Sequence, residues 1–413
     1  MATAWSARYA QRTNAVRSSV IRELLKLTQR PDVISFAGGL PAPELFPLAR
    51  FQQACHTVLT QNGALALQYG PTEGYVPLRE LIMRHMRRYG IVADVANILI
   101  TCGSQQALDL IGKLLIDPGD RVVTEEPTYL GALQAFNVYG ARYVPVPVDD
   151  DGMRTDGLHQ VLRAAPKFMY VLPNFQNPAG VSLSEQRRHE LVRIANAYGI
   201  PIVEDDPYGQ LRYDGEHRTP LVVLDRLNLR GDDQYMSGNV MYLSTFSKLL
   251  APGLRLGWIV APQEVIARLV QLKQGADLHT STFTQVLAYE VARDGFLDQH
   301  VQRLRTVYRE RRDAMLAALQ QFFPPEASWT HPEGGLFLWV TLPAGINAEE
   351  LLHAALRQNV AFVPGDSFYP GKPEGCHLRL NFSNSNPEQI REGIRRLGAA
   401  VREHLHTTVL AGA

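Results

Sequence analysis

The sequence has 413 residues, of which 46% are hydrophobic and 20% charged, and its formal net charge is zero. This length exceeds one simple core, so we expect two domains, or one large domain with a smaller partner. The balanced charge argues against a nucleic-acid-binding protein and gives no polybasic run for a membrane surface.

The N-terminus and the cysteines favour a cytoplasmic protein. The first residues, MATAWSARYAQRTNAVRSS, lack the apolar segment of a secretory signal, although their arginine content weakly resembles a transit peptide. No apolar run approaches the ~20 residues of a membrane span. Cys55, Cys102 and Cys376 are odd in number and far apart, so neither a disulfide framework nor a zinc site is predicted.

Strand and helix patterns alternate from about residue 50 to about residue 280. Helical spacing of apolar residues predicts a helix over 104–116. A second helix is predicted over 182–199, with Ser182 and Glu185 as a capping box and Gly199 as its stop. Such alternation indicates βαβ units and a mainly parallel sheet. The predicted strands are 97–101, 121–127, 167–173, 200–206, 239–245 and 254–262.

The pattern changes after about residue 290 to that of a smaller α+β domain. It comprises a long charged helix over 298–322, strands within 334–343 and 376–383, and a closing helix over 387–405. A helix predicted over 19–29 can pack with it. We therefore expect three parts: an N-terminal arm and substrate lid (1–49), a large domain (50–285) and a small C-terminal domain (286–413).

Polar residues follow the central strands, where ligands bind in open α/β sheets. A glycine turn opens the helix at 104, whose free N–H groups favour an anion. Taken singly, each cluster has an ordinary structural explanation, such as a helix cap or core packing. The candidate clusters are Ser104 with Gln105; Tyr129; Asn177; Asp205 with Asp206 and Tyr208; and Thr245, Ser247, Lys248 and Arg255.

Together these groups are what pyridoxal phosphate requires. A lysine amine can bond to the cofactor aldehyde, and an acid can keep the pyridine nitrogen protonated. Hydroxyls and an arginine can hold the phosphate. The motifs SxxK…R, NPxG and DxxY occur in an order and at separations that resemble the fold-type I aminotransferases of class I and II, over nearly the whole chain. NPAG replaces the commoner NPTG, and Thr245 stands where serine is usual.

The resemblance implies a seven-stranded, mainly parallel sheet flanked by helices, a smaller α+β domain, and roles for the site residues. Lys248 would be the Schiff-base lysine and general base, and Asp205 the partner of the pyridinium nitrogen. Asn177 and Tyr208 would bond the ring hydroxyl, and Tyr129 would stack on the ring. The phosphate would be held by Ser104, Gln105, Thr245, Ser247 and Arg255.

The resemblance also implies a homodimer and a substrate site. Tyr69 is similar to a tyrosine that reaches the phosphate in the partner subunit, so active sites would be shared. Arg379 would clamp the substrate α-carboxylate, because a guanidinium binds carboxylate in bidentate fashion. Gly39 would let the backbone approach that carboxylate, and Asn177 would also contact the substrate.

The N-terminal motifs resemble those of 2-aminoadipate aminotransferases of bacterial lysine biosynthesis and their broad-specificity relatives. Ser19 and Arg22 lie on one face of the predicted helix, and the resemblance implies that they read a distal carboxylate. The ordinary alternative for Arg22 is a solvated helix residue. The expected reaction moves an amino group between an L-amino acid, 2-aminoadipate-like, branched-chain or aromatic, and 2-oxoglutarate.

Three other kinds of protein share features of this sequence. A β-lyase or decarboxylase would use the same cofactor, and the sequence separates it poorly from a transaminase. A non-catalytic regulatory module is disfavoured, because only about 30 residues precede SFAGGLP, too few for a DNA-binding domain. A metal hydrolase is disfavoured because His189 and Glu190 have no second histidine at the required spacing, so no metal site is expected.

Overall fold

The computed structural model describes residues 3–15, 32–228, 238–343, 345–371 and 375–411, with side chains as far as 405. The predicted helix over 19–29, with Ser19 and Arg22, lies outside these residues.

The described residues form fourteen strands. In chain order they are β1 (Ile34–Ser35), β2 (Ile98–Thr101), β3 (Arg121–Glu126), β4 (Arg142–Asp149), β5 (Gly152–Met153), β6 (Phe168–Val171), β7 (Ile202–Asp205), β8 (Val240–Thr245), β9 (Gly257–Val260), β10 (Ser328–Trp329), β11 (Phe337–Leu342), β12 (Val360–Ala361), β13 (Val363–Pro364) and β14 (Cys376–Asn381).

Eight strands form the main sheet, in the order β2-β9-β8-β7-β6-β3-β4-β5. Strands β3, β4, β6, β7 and β8 pair in parallel, and β9 is antiparallel to both of its neighbours. The predicted seven-stranded, mainly parallel sheet is therefore confirmed, with the two-residue β5 added at its edge. Since β9 runs against the others, its first residue lies at the edge where they end.

Helices cover this sheet, and every residue of β2, β6, β7, β8 and β9 is buried, as expected for a parallel sheet with both faces covered. The helices are α1 (Leu48–Ala66), α2 (Val76–Arg87), α3 (Ser104–Leu115), α4 (Leu130–Asn137), α5 (Leu158–Leu162), α6 (Glu185–Tyr198), α7 (Leu221–Asn228), α8 (Gln263–Asp277), α9 (Thr282–Ala292), α10 (Phe296–Phe322), α11 (Ala348–Arg357) and α12 (Pro387–Ala411).

The start of α6 corrects one prediction. Ser184, not Ser182, is the N-cap, and its hydroxyl accepts a hydrogen bond from the Arg187 backbone. The Ser182 hydroxyl instead accepts from the backbone N–H of Phe175, so the proposed capping box with Glu185 is wrong. The predicted stop at Gly199 is confirmed by its left-handed conformation.

A second, antiparallel sheet has the order β10-β11-β14-β13. Strand β1 pairs with β12 in parallel, so the segment before α1 packs beside this later part of the chain. Arg379 lies on β14, opposite Trp339 of β11. The long helix α10 packs against α12. This arrangement agrees with the predicted α+β pattern after residue 290.

The buried side chain of Arg188 on α6 links this helix to the loops at the edge of the main sheet where the parallel strands end. Its guanidinium donates to the carbonyl oxygens of Leu183, Thr219 and Pro173 and to the side-chain oxygen of Asn174. A buried guanidinium is stable only when its donors are satisfied. The four acceptors make this arginine a fixed support for the loop that follows β6.

Candidate active site

A cavity of about 310 Å³ opens where the parallel strands end. It brings together the predicted site residues that lie in the described part of the chain, with the exceptions of Tyr69 and Asp206. The lining residues are Gly39, Ser104, Gln105, Tyr129, Leu172, Asn177, Asp205, Pro207, Tyr208, Thr245, Ser247, Lys248, Pro252, Arg255, Phe337 and Arg379.

One corner of the cavity is built for an anion. Helix α3 begins there after Gly103, whose φ of 75° favours glycine. A Cβ atom on Gly103 would lie 2.6 Å from the Arg255 guanidinium, so the missing side chain makes room for this cation. Arg255 itself has φ 52°, which turns the chain back toward the helix start. The N–H groups of α3 and the guanidinium both favour negative charge.

Two hydroxyls at the end of β8 are held in place by hydrogen bonds. The Thr245 hydroxyl donates to the Leu256 carbonyl at 2.8 Å and lies 2.9 Å from the Ser247 hydroxyl. The backbone N–H of Ser247 donates to the Thr245 hydroxyl at 3.1 Å. The hydroxyls therefore have fixed positions on the wall of the cavity.

Lys248 lies in the connection between the antiparallel strands β8 and β9. Its Nζ donates to the Gly39 carbonyl at 2.8 Å. Burial, with the nearby cations Arg379 and Arg255, lowers the pKa of Lys248 to about 8. A neutral amine, the nucleophilic form, is therefore much more accessible at neutral pH than on an ordinary lysine.

Asp205 ends β7 and is only 2% exposed. Its Oδ2 accepts a hydrogen bond from the Tyr170 hydroxyl at 2.7 Å. Its Oδ1 has no hydrogen-bond partner among the described residues. Burial raises the pKa of Asp205 to about 7, a rise opposed by the Tyr170 bond and increased by Asp206. A buried acceptor of this kind calls for a donor from a ligand.

The side chain of Arg379, on β14, lines another wall of the cavity. Its guanidinium donates to the Asn177 side-chain oxygen at 2.9 Å and to the Ala37 carbonyl at 2.7 Å. Its Nε has no partner among the described residues. The carbon of the guanidinium lies 4.4 Å from the ring centre of Phe337. Burial lowers the pKa of Arg379 to about 10, which leaves it charged at neutral pH.

Tyr208 and Tyr129 supply the aromatic and phenolic groups. Tyr208 is 4% exposed, and burial raises the pKa of its hydroxyl, so the hydroxyl stays protonated at neutral pH. Tyr129 caps α4, and a Cβ on Gly131 would lie within 2.6 Å of the Tyr129 ring. The glycine therefore allows the ring to fold back over the helix. Gln105 donates from Nε2 to the Gly131 carbonyl at 2.8 Å.

Tyr69 lies outside this cavity and is 79% exposed. Its ring meets the His279 ring edge-on, with 5.7 Å between centroids.

The sequence does not indicate the contacts that two further residues, Tyr170 and Phe337, make at the site. Tyr170 reads as an ordinary aromatic of a buried strand, and its partner lies on the next strand. Phe337 reads as a core residue of β11, yet it lines the cavity and lies beneath the guanidinium of Arg379. Only the pairing of strands and domains reveals either role.

The cavity fits pyridoxal phosphate. The orphaned Oδ1 of Asp205 matches the N–H of a protonated pyridine ring, and the Gly103–Arg255 corner matches a phosphate. In the described ranges, we find no group of three or more His, Cys, Asp or Glu side chains that could hold a metal ion. Nor does any helix there have the length and apolar character to cross a membrane.

Comparisons with known proteins agree with this chemistry. The family model for aminotransferase class I and II matches residues 45–397. An aromatic-amino-acid aminotransferase of Thermococcus litoralis is 46% identical over 96% of this chain and 94% of its own length. A 2-aminoadipate transaminase of Thermus thermophilus is 45% identical over 96% of this chain and 97% of its own.

A solved structure has the same fold. The α-aminoadipate aminotransferase LysN from Thermus thermophilus, complexed with N-(5'-phosphopyridoxyl)-L-leucine, matches with a TM-score of 0.90 and 42% identity. The match covers 98% of this chain and all of that one.

Proposed function

Because this chain belongs to the class I and II aminotransferases and is a pyridoxal-phosphate-dependent transaminase, we propose that it moves the amino group of a 2-aminoadipate-like, branched-chain or aromatic L-amino acid to 2-oxoglutarate. The observation that carries the proposal is one cavity that holds a lysine of lowered pKa, Lys248, together with a buried guanidinium, Arg379. The names of the two relatives support the choice of amino donors.

The cofactor would be held from three sides. When bound, pyridoxal phosphate supplies an aldehyde that bonds to amines and a ring that withdraws electrons. Ser104, Gln105, Thr245, Ser247 and Arg255 hold its phosphate. Tyr129 packs on the ring, Asn177 and Tyr208 bond the ring hydroxyl, and Asp205 accepts from the ring nitrogen.

The same residues would carry the proton chemistry. The Lys248 amine is close enough to its neutral form that it would accept the proton from the α-carbon of a bound amino acid. A charged Asp205 beside the ring nitrogen would favour a protonated, electron-withdrawing ring. Tyr208 holds its proton and donates to the ring oxygen.

The amino acid substrate would be bound at both ends, through its α-carboxylate and through its distal carboxylate. Arg379, with Asn177 beside it, binds the α-carboxylate, and Gly39 leaves room there: a Cβ at Gly39 would lie 3.1 Å from the Phe337 ring. Ser19 and Arg22 read a distal carboxylate. Donors without that distal carboxylate would still bind Arg379 through their α-carboxylate.

We further propose a cytoplasmic homodimer in which Tyr69 of each subunit completes the phosphate site of the other. The exposed ring of Tyr69 supports this, and three free cysteines suit a reducing compartment. Residues 1–49 would form an N-terminal arm and substrate lid that belongs to the small domain, 286–413 the small C-terminal domain, and 50–285 the large cofactor-binding domain. The pairing of β1 with β12 supports this grouping.

A panel of amino donors tests the proposal. The purified enzyme is assayed with 2-oxoglutarate against 2-aminoadipate, leucine, valine and kynurenine. Glutamate is left out, because its transfer to 2-oxoglutarate regenerates the same two compounds. We expect glutamate formation with 2-aminoadipate, and a loss of about tenfold to a hundredfold in kcat/KM for this donor alone in Arg22→Ala, since a hydrogen bond to a charged group is removed. Release of ammonia and a 2-oxo acid without an acceptor would contradict transamination. An equal loss for leucine would contradict the role of Arg22.

A further inference from the structure

Tyr170 is hydrogen-bonded to Asp205, the acid that we assign to the cofactor ring. It stands on β6, beside Val203 of the parallel neighbour β7, which ends at Asp205. The Tyr170 hydroxyl donates to Asp205 Oδ2 at 2.7 Å, and both residues are buried. The other oxygen, Oδ1, is left without a partner among the described residues.

The position of this hydroxyl is fixed. Tyr170 is completely buried, and its ring meets Phe136 edge-on at 5.8 Å between centroids. It does not line the cavity. It therefore cannot touch cofactor or substrate, and any effect on the reaction must pass through Asp205.

We propose that Tyr170 is a positioning residue for transamination: its hydroxyl holds the Asp205 carboxylate in one orientation and in its charged form, so that Oδ1 is presented to the cofactor ring nitrogen. This inference rests on the proposed role of Asp205. A hydrogen bond to a carboxylate favours the charged form.

The Asp205 carboxylate needs this hydrogen bond from Tyr170 because it is buried. Burial raises the pKa of Asp205 to about 7, which works against the charged form, and the Tyr170 hydrogen bond opposes this rise. Glu125 is buried nearby, and burial raises its pKa to about 8. Without Tyr170, the proton between Asp205 and the ring nitrogen shifts toward Asp205.

The chain supplies a matched control on the other side of β7. The Tyr242 hydroxyl, on β8, donates to Asp206 Oδ2 at 3.1 Å. Tyr242 is also buried and also bonds one of the two consecutive acids. Its partner Asp206 does not line the cavity. Tyr242→Phe therefore removes the same chemical group from an equivalent place without reaching the ring nitrogen.

The test measures protonation of the ring nitrogen directly. Wild type, Tyr170→Phe, Tyr242→Phe and Asp205→Ala are loaded with pyridoxal phosphate carrying ¹⁵N in the ring, and the nitrogen chemical shift is recorded. We expect Tyr170→Phe to move the signal toward that of neutral pyridine, with kcat about tenfold to a hundredfold lower and KM for the amino acid unchanged. Tyr242→Phe should keep the wild-type signal.

The possible results distinguish the proposed role of Asp205 from that of Tyr170. If Asp205→Ala leaves the signal unchanged, the proposed role of Asp205 is wrong. If Asp205→Ala shifts the signal and Tyr170→Phe does not, the inference about Tyr170 alone is overturned. Should Tyr170→Phe fail to fold, 3-fluorotyrosine placed at position 170 preserves the packing with a stronger hydroxyl donor. The pH at which the ring nitrogen titrates should then differ from that of the wild type, and an unchanged titration would overturn the inference.

Discussion

Asp205 and Asp206 are consecutive residues whose carboxylates have opposite surroundings. Asp205 faces the cavity with one oxygen unbonded. The Asp206 side chain accepts from Asn174 at 3.0 Å, from the Gly209 backbone at 2.8 Å and from Tyr242 at 3.1 Å. Asp206 thus holds the turn that carries Tyr208, and Asp205 is left to bind a ligand.

Substitution of the two acids by asparagine should give two different phenotypes. Asp205→Asn should fold normally, with kcat lower by about 10²- to 10³-fold, because a charge that stabilises the reacting ring is lost. Asp206→Asn should lower the free energy of unfolding by about 1–3 kcal/mol, because several bonds to a buried carboxylate weaken. Thermal unfolding and steady-state kinetics measure both. The reverse pattern would assign the ligand to Asp206.

The lowered pKa of Lys248 predicts the pH dependence of cofactor loading. Only the neutral amine attacks the aldehyde, and its fraction rises with pH until the pH exceeds the pKa of about 8. The rate at which apoenzyme binds pyridoxal phosphate should therefore rise to about pH 8 and then level off, as followed by visible absorbance. Lys248→Ala should show no covalent cofactor band at any pH. A rate that still climbs toward pH ~10 would indicate an ordinary lysine.

Arg379→Lys should weaken substrate binding. Lysine keeps the charge but cannot make the bidentate contact with a carboxylate. We expect kcat/KM for amino acids to fall by about tenfold to a hundredfold, whereas the slow reaction with an amine that lacks the α-carboxylate should be nearly unchanged. The exposed Arg395→Lys serves as a control. An equal loss for both substrate types would show that Arg379 acts on the fold and not on the carboxylate.

Hybrid dimers test the role of Tyr69. Lys248→Ala homodimers should be inactive, and Tyr69→Ala homodimers should have a weaker affinity for the cofactor. A mixed dimer of the two variants should regain one complete site, with intact Lys248 from one subunit and intact Tyr69 from the other. Recovery of activity on mixing, measured at limiting cofactor concentration, supports shared sites. Activity that stays at the average of the two homodimers would contradict them.

The location of the site could be predicted from the sequence, because the carboxyl ends of parallel strands lie at one edge. Each polar cluster followed a recognisable strand, and the cavity gathers Ser104, Asn177, Asp205 and Lys248 as expected. The Ser244 hydroxyl donates to the Asp206 carbonyl at 2.9 Å, a contact that the sequence does not indicate. That partner comes from the neighbouring strand, and its identity depends on the pairing of β7 with β8.

Contacts between distant segments were beyond prediction for the same reason. Tyr170 on β6 donates a hydrogen bond to Asp205 on the neighbouring strand β7. Phe337 reaches the cavity from the second sheet, where it contacts Arg379. The misplaced cap of α6 has a local cause, since Ser182 and Ser184 are both chemically suitable. The preceding loop decides between them by engaging Ser182 with Phe175.

The connection that carries Lys248 constrains how this enzyme can change by insertion or deletion. It begins and ends at one paired position, since Thr245 lies opposite Gly257 in the ladder between β8 and β9. A residue added between these points cannot slide the strands, so it must be absorbed within the connection itself. Such an insertion would displace the Lys248 amine or the Arg255 guanidinium, which we propose binds the phosphate. We expect length variation among homologous enzymes to be rare in this segment and common in the exposed loops elsewhere.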